Sequence, residues 1–577
     1  MPNYSSDKDE INSRIKVVLI VIVLLNLLLI AKLYVIQIKD ADKYRMLSER
    51  NSVHLSPIFP KRGCIITSDG KVVANSPRKH KLIMDKYENF LQKIDFLKNF
   101  VSFSEADNER IVDSRKRKLP IISLKEELSW DEYAKISMTL FKLDGISIEN
   151  TYTRSYAIPL EMSHIIGYVS KDSKQFLIGK TGIETVFNDH LTGKIGNIQE
   201  EMNAAGKKIR IINSQKPEDG EDICISIDSQ LQSYIYNLLL SEKAGACVVL
   251  DISNGEVIAM VSVPSFDINI FSNKMTKKQW EDIGNNRLFP LLNRAINCSY
   301  PPGSIFKIIV AFAALSEGII SPKDRVFCAG KLKQDNHTFH CWNRSGHGWM
   351  NLQEAIKFSC DCYFFELAKK VGIDNIVKYA KKFGFGVKSG IELTNENPGL
   401  LPTKRWKFLR YGSTWKPYET TIVGIGQGAL LATLIQIANM MGKLYNEDYN
   451  FSSTLIKSAR KNLASDPIDS THAKIIKEAL HQVCVSGTAA GSCNTDYGIS
   501  GKTGSSQVRT IKANEAGMNQ KFLPWELRDH AFFAACAPYK CPRYVVAILV
   551  EHGGGGAMIA APIVRKIFDK IFEKNKL

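Results

Sequence analysis

The sequence predicts a mixed α+β protein carried on one membrane anchor, on three observations. The 577-residue chain is too long for one core. A single apolar run lies near its N-terminus. Strand-like runs bracket helical patterns across the last stretch of about 330 residues. With 44% hydrophobic and 23% charged residues the chain is globular, which excludes wholesale disorder and a polytopic membrane protein. Its 76 Lys+Arg against 59 Asp+Glu leave a net charge of +17, which suits a nucleic acid or an anionic membrane surface without choosing between them. Twelve cysteines are too dilute for a disulfide scaffold.

From Val17 to Ile36 the chain reads VVLIVIVLLNLLLIAKLYVI, apolar except at Asn26 and Lys32. Such a run at about 1.5 Å per residue spans a hydrocarbon core, and Lys32 lies near enough to one end to snorkel. A cleaved secretory signal would be shorter and end in small residues, whereas Lys32, Tyr34 and Gln37 follow here. The expectation is a short tail over 1–16 and an uncleaved anchor over 17–37. Lys8, Arg14 and Lys16 precede the run and Lys32, Lys39, Lys43 and Arg45 follow it, so charge bias leaves the orientation open. Other apolar runs, such as Ile308–Leu315 and Tyr544–Val550, are too short to span, which predicts a bitopic chain.

Residues 38–235 mix short strand-like runs with turns at Ser68-Asp69-Gly70 and Thr192-Gly193, and carry a highly charged insertion at about 80–150. Within it, Arg115-Lys116-Arg117-Lys118 reads as a solvated face rather than a nucleic-acid patch, because no interleaved aromatics or finger motif accompany it. The character changes near residue 244, and 236–577 is read as one α+β domain. There, Ala246–Leu250 and Glu256–Val263 flank the turn Asp251–Gly255 as a hairpin. Helical patterns follow over Phe306–Leu315 and Ile356–Lys370, then strand candidates over Ala531–Ala535 and Tyr544–Glu551.

Three motifs in this domain carry chemistry. Ser304-Ile-Phe-Lys307 follows Tyr300-Pro-Pro-Gly303, so the serine is expected at a helix start, where the dipole favours a developing alkoxide. Lys307, one turn on and sunk among apolar neighbours, is placed to act as base. Ser-x-x-Lys alone carries no weight, since it recurs at Ser13–Lys16, Ser76–Lys79, Ser413–Lys416 and Ser458–Lys461. Lys-Thr-Gly likewise occurs at 180–182 and 502–504, but only the second copy lies among small residues that let backbone approach a ligand. Taken singly, each motif is as well explained by a helix-cap serine, a surface lysine or a turn glycine. What stands out is the order: Ser304-x-x-Lys307, Ser359-Cys360-Asp361, Lys502-Thr503-Gly504.

That ordered triplet resembles the penicillin-binding proteins. Asn293-Arg294-Ala295, Tyr300–Ser304, Gly245-Ala246, Asp251…Gly255-Glu256-Val257…Ala259-Met260, Pro264–Asp267 and Gly424–Gly428 are similar to their class B transpeptidases. Arg62-Gly63, Arg154-Ser-Tyr156, His164…Gly167-Tyr168-Val169, Gly179–Glu184 and Glu201–Asn203 resemble that class's pedestal. Asp361, where the division paralogue shows Asn, and Tyr363-Phe364-Phe365 resemble the elongation-type penicillin-binding protein 2. No glycosyltransferase-like region precedes the pedestal, which argues against a bifunctional class A enzyme. Two departures, His530-Ala-Phe-Phe533 with Phe where Trp is usual and Thr433 followed by Leu434 rather than Pro, lie outside the triplet.

The resemblance implies a serine β-lactamase-like transpeptidase domain, an antiparallel sheet flanked by helices, over 236–577. It sits on an elongated, mainly β pedestal/dimerisation domain over 38–235, with the catalytic part in the periplasm of an inner-membrane protein. It implies that Ser304 attacks the penultimate D-Ala carbonyl of a stem peptide, with Lys307 as base, Ser359 as proton relay and Asp361 in support. Lys502 and Thr503 hold the substrate carboxylate, and Gly504 and Ser505 complete the strand whose backbone, with that of Ser304, forms the oxyanion hole. The implied partners are peptidoglycan stem peptides, a RodA-like SEDS glycan polymerase with other elongation-complex proteins, the membrane, and β-lactams as covalent inhibitors, but no nucleic acid. The chemistry needs no cofactor.

Cys328-x12-Cys341-x5-His347-x12-Cys360 is a tetrahedral zinc set by ligand type, though not by finger spacing. Some elongation-type relatives resemble it in placing metal ligands here. A Cys328–Cys341 disulfide and unpaired thiols are the other readings. Cys484 and Cys493 form a second possible bridge, and His337 and His340 flank the cluster. Rival functions are a β-lactam sensor, for which the tail before the anchor is too short to hold an effector, an idle scaffold that activates a polymerase, and a β-lactamase, in which anchor and pedestal have no purpose.

Overall fold

A computed structural model describes residues 4–44, 46, 53–85, 88–117, 119, 121–172, 176–202, 208–272, 275–457, 465–509 and 520–574. Lys118, Asn203 and the pair Ser458 and Lys461 lie outside the described residues. The chain falls into two compact units, Met1–Lys61 with Gly193–Asp219 and Arg62–Thr192 with Gly220–Leu577.

The first unit begins with α1 (Tyr4–Tyr34). Its apolar part lies in Asn12–Lys39, whose most apolar 18-residue window has a mean hydropathy of 2.8 and which is long and apolar enough to cross a membrane. Aliphatic side chains stand exposed all round it, the pattern of a helix solvated by lipid. Asn26, the polar residue inside the run, donates its amide to Ile22 O at 2.8 Å, so one of its donors is satisfied within the helix. Strands Val53–Ile58, Gly196–Met202 and Lys208–Gln215 form an antiparallel sheet with the second in the middle.

In the second unit, residues 78–152 build their own layer. Arg78–Met84 pairs with Ile122–Lys125 on one side and Ile146–Tyr152 on the other, over a separate core that includes Leu82, Leu97, Ile122, Leu124 and Ile136. The basic run closes the helix Glu105–Lys116, with Arg117 paired to Asp113 at 3.1 Å, and is a solvated helix end as expected. Next to this layer, three pedestal motifs that are far apart in sequence meet. Arg62 Nε and Arg154 Nε reach the two carboxylate oxygens of Glu184 at 2.7 and 2.6 Å, with all three side chains buried. The guanidiniums are satisfied further by Thr192 Oγ1 at 2.6 Å, Gly63 O at 2.7 Å and Ser76 Oγ at 3.1 Å. A carboxylate buried between two fixed guanidiniums escapes the penalty of an unpaired charge.

The large sheet consists of β1 (Gly245–Asp251), β2 (Val257–Val263), β3 (Ser500–Ser506), β4 (His530–Ala537) and β5 (Tyr544–Val550). Its order is β2-β1-β5-β4-β3, antiparallel throughout. The hairpin and both late strands form where the pattern places them. β1 and β5 are buried at every position, so both sheet faces are covered. The covering helices are α2 (Ser229–Leu239), α3 (Lys307–Ser316), α4 (Asp361–Lys382, broken at Gly372), α5 (Leu434–Asn446), α6 (Ser470–Ser486) and α7 (Ala561–Lys574). α2 and α7 pack on each other and on the sheet, while α5 and α6 cover it elsewhere. α3 is buried from Lys307 through Leu315, which makes it the central rod of the domain.

One prediction needs correction. The helical pattern over Ile356–Lys370 is two helices, Leu352–Lys357 and α4, separated by a reversal at Phe358–Cys360. Ser359 sits in the reversal with φ of 53°. A left-handed serine of this kind costs on the order of 1–3 kcal/mol and is tolerated where surrounding structure fixes it. Apolar spacing continues across the break, so periodicity does not reveal it.

Candidate active site

Pro301-Pro302 ends the preceding segment, and Gly303–Phe306 forms a single 3-10 turn that leads into α3. Ser304 therefore sits one turn ahead of the α-helix rather than at its first residue. The difference arises at Gly303, whose N–H donates to Gly426 O at 2.9 Å instead of joining the helix. Gly303 has φ of 56°, and a Cβ on it would stand 2.5 Å from Ser505 O. A Cβ on Gly426 would stand 2.0 Å from Gly303 O. Only glycine lets these three backbones touch, and their contact sets the serine turn against β3.

Lys307 is wholly buried, and its Nζ donates to Asp361 Oδ1 at 2.7 Å, to Ser359 O at 2.9 Å and to Ser359 Oγ at 3.2 Å. The left-handed backbone at Ser359 turns both its carbonyl and its hydroxyl toward the lysine. Asp361 begins α4, where a carboxylate is favoured by the helix dipole, and its second oxygen accepts the Trp342 N–H at 2.8 Å. First and second motifs are thus joined through one nitrogen, Lys307 Nζ.

The third motif lies on β3, an edge strand whose one partner is β4, with Thr503 opposite Phe533. Its run SGKTGSS is poor in strand formers, so it is held by tertiary contacts rather than propensity. Lys502 is fully buried, and burial first, then the nearby positive charge of Lys307, holds its pKa well below the usual lysine range. Thr503 Oγ1 lies 3.1 Å from Thr488 Oγ1. A side chain at Gly504 would press on Ile305 and on Pro302 O, each at 3.1 Å. Ser505 is exposed, and its carbonyl accepts from Gln427 Nε2 at 3.0 Å. All three motifs therefore meet at one site, the serine turn against β3 and Lys307 against Ser359 and Asp361. The other copies do not: Ser76 accepts from Arg154, and Lys79 pairs with Glu127.

The cysteine cluster forms beside this site. Cys328 ends a strand that pairs with Gly348–Met350, Cys341 follows a hairpin, and Cys360 caps α4. One donor atom from each of Cys328, Cys341, His347 and Cys360 lies within 4.8 Å of the others. His347 Nδ1 is 3.6 Å from Cys328 Sγ and 3.5 Å from Cys341 Sγ. Tetrahedral zinc with its usual bond lengths requires about 3.6 Å between a sulfur and a nitrogen ligand, so the donors fit. All twelve cysteines are free thiols, which leaves neither Cys328–Cys341 nor Cys484–Cys493 bridged. His337 stands over Tyr418 at 4.4 Å, and neither it nor exposed His340 belongs to the group.

Several residues that contact the site are not signalled by sequence. Trp342, next to Cys341, reaches Asp361 through its backbone and Phe358 O through its indole at 3.0 Å. Thr488 touches the third motif, as does Gln427, which belongs to the Gly424–Gly428 motif that the sequence does signal. Behind the serine turn, Glu551 accepts from Tyr300 at 2.5 Å and pairs with Arg294 at 3.1 Å, which gives the Asn293-Arg294-Ala295 motif a structural partner.

Residues 245–569 match the family model described as the penicillin binding protein transpeptidase domain, and residues 57–225 match the penicillin-binding protein dimerisation domain. The peptidoglycan D,D-transpeptidase MrdA of Haemophilus influenzae is 34% identical, over 95% of this chain and 90% of its own length. A solved complex between the penicillin-binding protein PBP2 and MreC from Helicobacter pylori aligns with a TM-score of 0.81 at 27% identity, covering 91% of this chain and 99% of that one. A chain from a structure titled "Structural coordination of polymerization and crosslinking by a peptidoglycan synthase complex" aligns with a TM-score of 0.72 at 25% identity, over 96% and 97% of the two chains.

Proposed function

The chain belongs to the elongation-type, class B penicillin-binding proteins, the peptidoglycan D,D-transpeptidases, and from that premise we propose how its own residues carry the reaction. Lys502 and Thr503 hold the terminal carboxylate of a donor stem peptide beside β3. Ser304 Oγ attacks the penultimate D-Ala carbonyl while Lys307 takes the hydroxyl proton. The oxyanion is received by the backbone N–H groups of Ser304 and Ser505, whose strand Gly504 keeps clear of side-chain bulk. The C–N bond then breaks, Ser359 passes a proton to the leaving D-Ala amine, and Ser304 is left as an ester. An amine from a second stem peptide attacks that ester, forms the cross-link and restores the serine. Asp361 fixes Lys307 and acts through it.

The observation that carries this reading is the single node at Lys307 Nζ, bonded at once to Ser359 and Asp361 within 2.7–3.2 Å. Fluorescent penicillin offered to the purified protein tests it. Wild type labels covalently and Ser304→Ala does not. A folded wild type that stays unlabelled overturns the reading in favour of an idle scaffold.

We extend the proposal in three directions. Cys328, Cys341, His347 and Cys360 hold a structural zinc that braces the Ser359 reversal, since Cys360 lies between the second motif's two functional residues. Less than a third of an equivalent of zinc per chain, with Cys328 and Cys341 recovered as a disulfide, overturns that assignment. Residues 17–37 anchor the chain in the inner membrane, with the pedestal at 38–235 and the catalytic domain at 236–577 in the periplasm. A RodA-like polymerase and an MreC-type elongation protein are the partners, a reading supported by the assemblies named for the structural relatives.

A further inference from the structure

We propose that the basic, aromatic face formed by the helix Lys404–Tyr411 and the loop after it is a docking surface for a peptidoglycan strand, held through the carboxylates of its stem peptides and the apolar faces of its sugars. The inference rests on the transpeptidase reading, which requires a second strand at the acyl-enzyme. It adds where a strand is gripped outside the cleft.

Charge is the first argument. Between Glu396 and Glu419 the sequence has no acidic residue but carries Lys404, Arg405, Lys407, Arg410 and Lys416. Two of these are neutralised, Lys404 by Asp374 and Lys407 by Glu419, each at 2.5 Å. Arg405, Arg410 and Lys416 are exposed and have no ion-pair partner among the described residues. Exposed cations in an acid-free stretch complement a polymer that repeats a carboxylate on every stem.

Shape is the second. Phe408, Leu409 and Tyr411 are 59%, 72% and 65% exposed, an apolar patch of the kind that marks an interaction site. Trp415 donates its indole N–H to Thr420 Oγ1 at 2.8 Å, which fixes the ring as one wall of a cavity of about 460 Å³. Lys404, Phe408, Thr414 and Pro417 complete the lining. Aromatic walls on a segment that also carries the exposed, unpaired Arg405, Arg410 and Lys416 suit a ligand that is apolar on its faces and anionic at its branches, as a glycan with peptide side arms is.

Continuity is the third. The same chain runs through the helix Pro417–Val423 into Gly426, which abuts Gly303, and Gln427, which bonds Ser505. A strand held on this face is thereby held by the segment that shapes the nucleophile turn. The concave, cation-studded surface favours such a strand over a lipid surface.

Binding of fluorescent, uncross-linked peptidoglycan strands with pentapeptide stems to the full-length protein in detergent tests the proposal. The charge-reversed variant Arg405→Glu/Arg410→Glu is expected to bind strands about tenfold more weakly, and Phe408→Ser about fivefold, while penicillin acylation stays within about twofold and thermal unfolding is unchanged. Strands stripped of stem peptides should bind wild type as poorly as whole strands bind the reversal variant. Strand binding unchanged in that variant overturns the proposal. It is equally overturned if the reversal abolishes capture of phosphatidylglycerol vesicles by protein held in zwitterionic nanodiscs while strand binding persists, which assigns the face to lipid. Wild type that binds no strands yet labels with penicillin sinks the docking surface alone, whereas wild type that does neither sinks the transpeptidase reading with it.

Discussion

A single side-chain nitrogen, Lys307 Nζ, organises the chemistry. Lys307 is buried, and both Ser359 and Asp361 are aimed at it, so Asp361→Asn removes its charged partner without changing shape. We expect the acylation step with a β-lactam to slow by about 100-fold, the low end of the range of a positioned proton-transfer group, because Asp361 acts through Lys307. Noncovalent binding of the same compound should stay within about threefold, which separates a positioning role from a collapsed site. His164 gives a pH signature. Burial pushes its pKa down to about 4, although Nε2–H donates to Pro290 O at 2.8 Å. The unfolded chain keeps the ordinary value of about 6.5 and so binds more protons between the two, and stability falls as pH drops through that window. The full loss from this group is about 3 kcal/mol. His530, likewise pushed to about 4 by burial, adds to it. Urea midpoints at pH 7.5 and pH 5 should differ less in His164→Asn than in wild type.

At the scale of elements, what the sequence conveys and what it hides divide along physical lines. The hairpin β1–β2 and the strands β4 and β5 are legible because they are long, apolar and ended by turn residues. The ordered triplet is legible because its chemistry needs those residue types. The reversal at Ser359 is not, since one left-handed residue leaves the apolar spacing intact. Nor is β3, whose glycines and serines have no strand preference and are fixed by β4 and the serine turn. Trp342 acts on Asp361 through its backbone, and backbone contacts leave no trace in residue type. The pedestal motifs were visible singly, but their meeting at Glu184 is a tertiary fact. Removing that carboxylate's charge leaves two buried guanidiniums facing each other. Glu184→Gln should therefore cost about 3–5 kcal/mol, read as an early transition in thermal unfolding, with penicillin labelling retained below it.

For the whole molecule, the membrane reading rests on one helix, and the sidedness that the flanking charges leave open can be measured. Cys541 is exposed at the turn between β4 and β5, far in sequence from the cysteine cluster. In intact spheroplasts a membrane-impermeant maleimide should modify Cys541 together with the other exposed thiol, Cys224, and Cys224→Ser/Cys541→Ser should remove most of that signal. Protection until lysis would place the catalytic domain on the other side.

The strand order β2-β1-β5-β4-β3 also has a kinetic meaning. β1, at residues 245–251, lies between β2 and β5, and β5 spans 544–550, near the end of the catalytic domain. The sheet therefore cannot close until nearly the whole chain has been made, because its central pairing waits for nearly the last segment to emerge. Such long-range pairing makes folding slow and late. A chain that stalls or is cut before residue 544 would keep its N-terminal apolar helix and the residues that match the dimerisation domain but lack the strand that completes the sheet, and so would cross-link nothing.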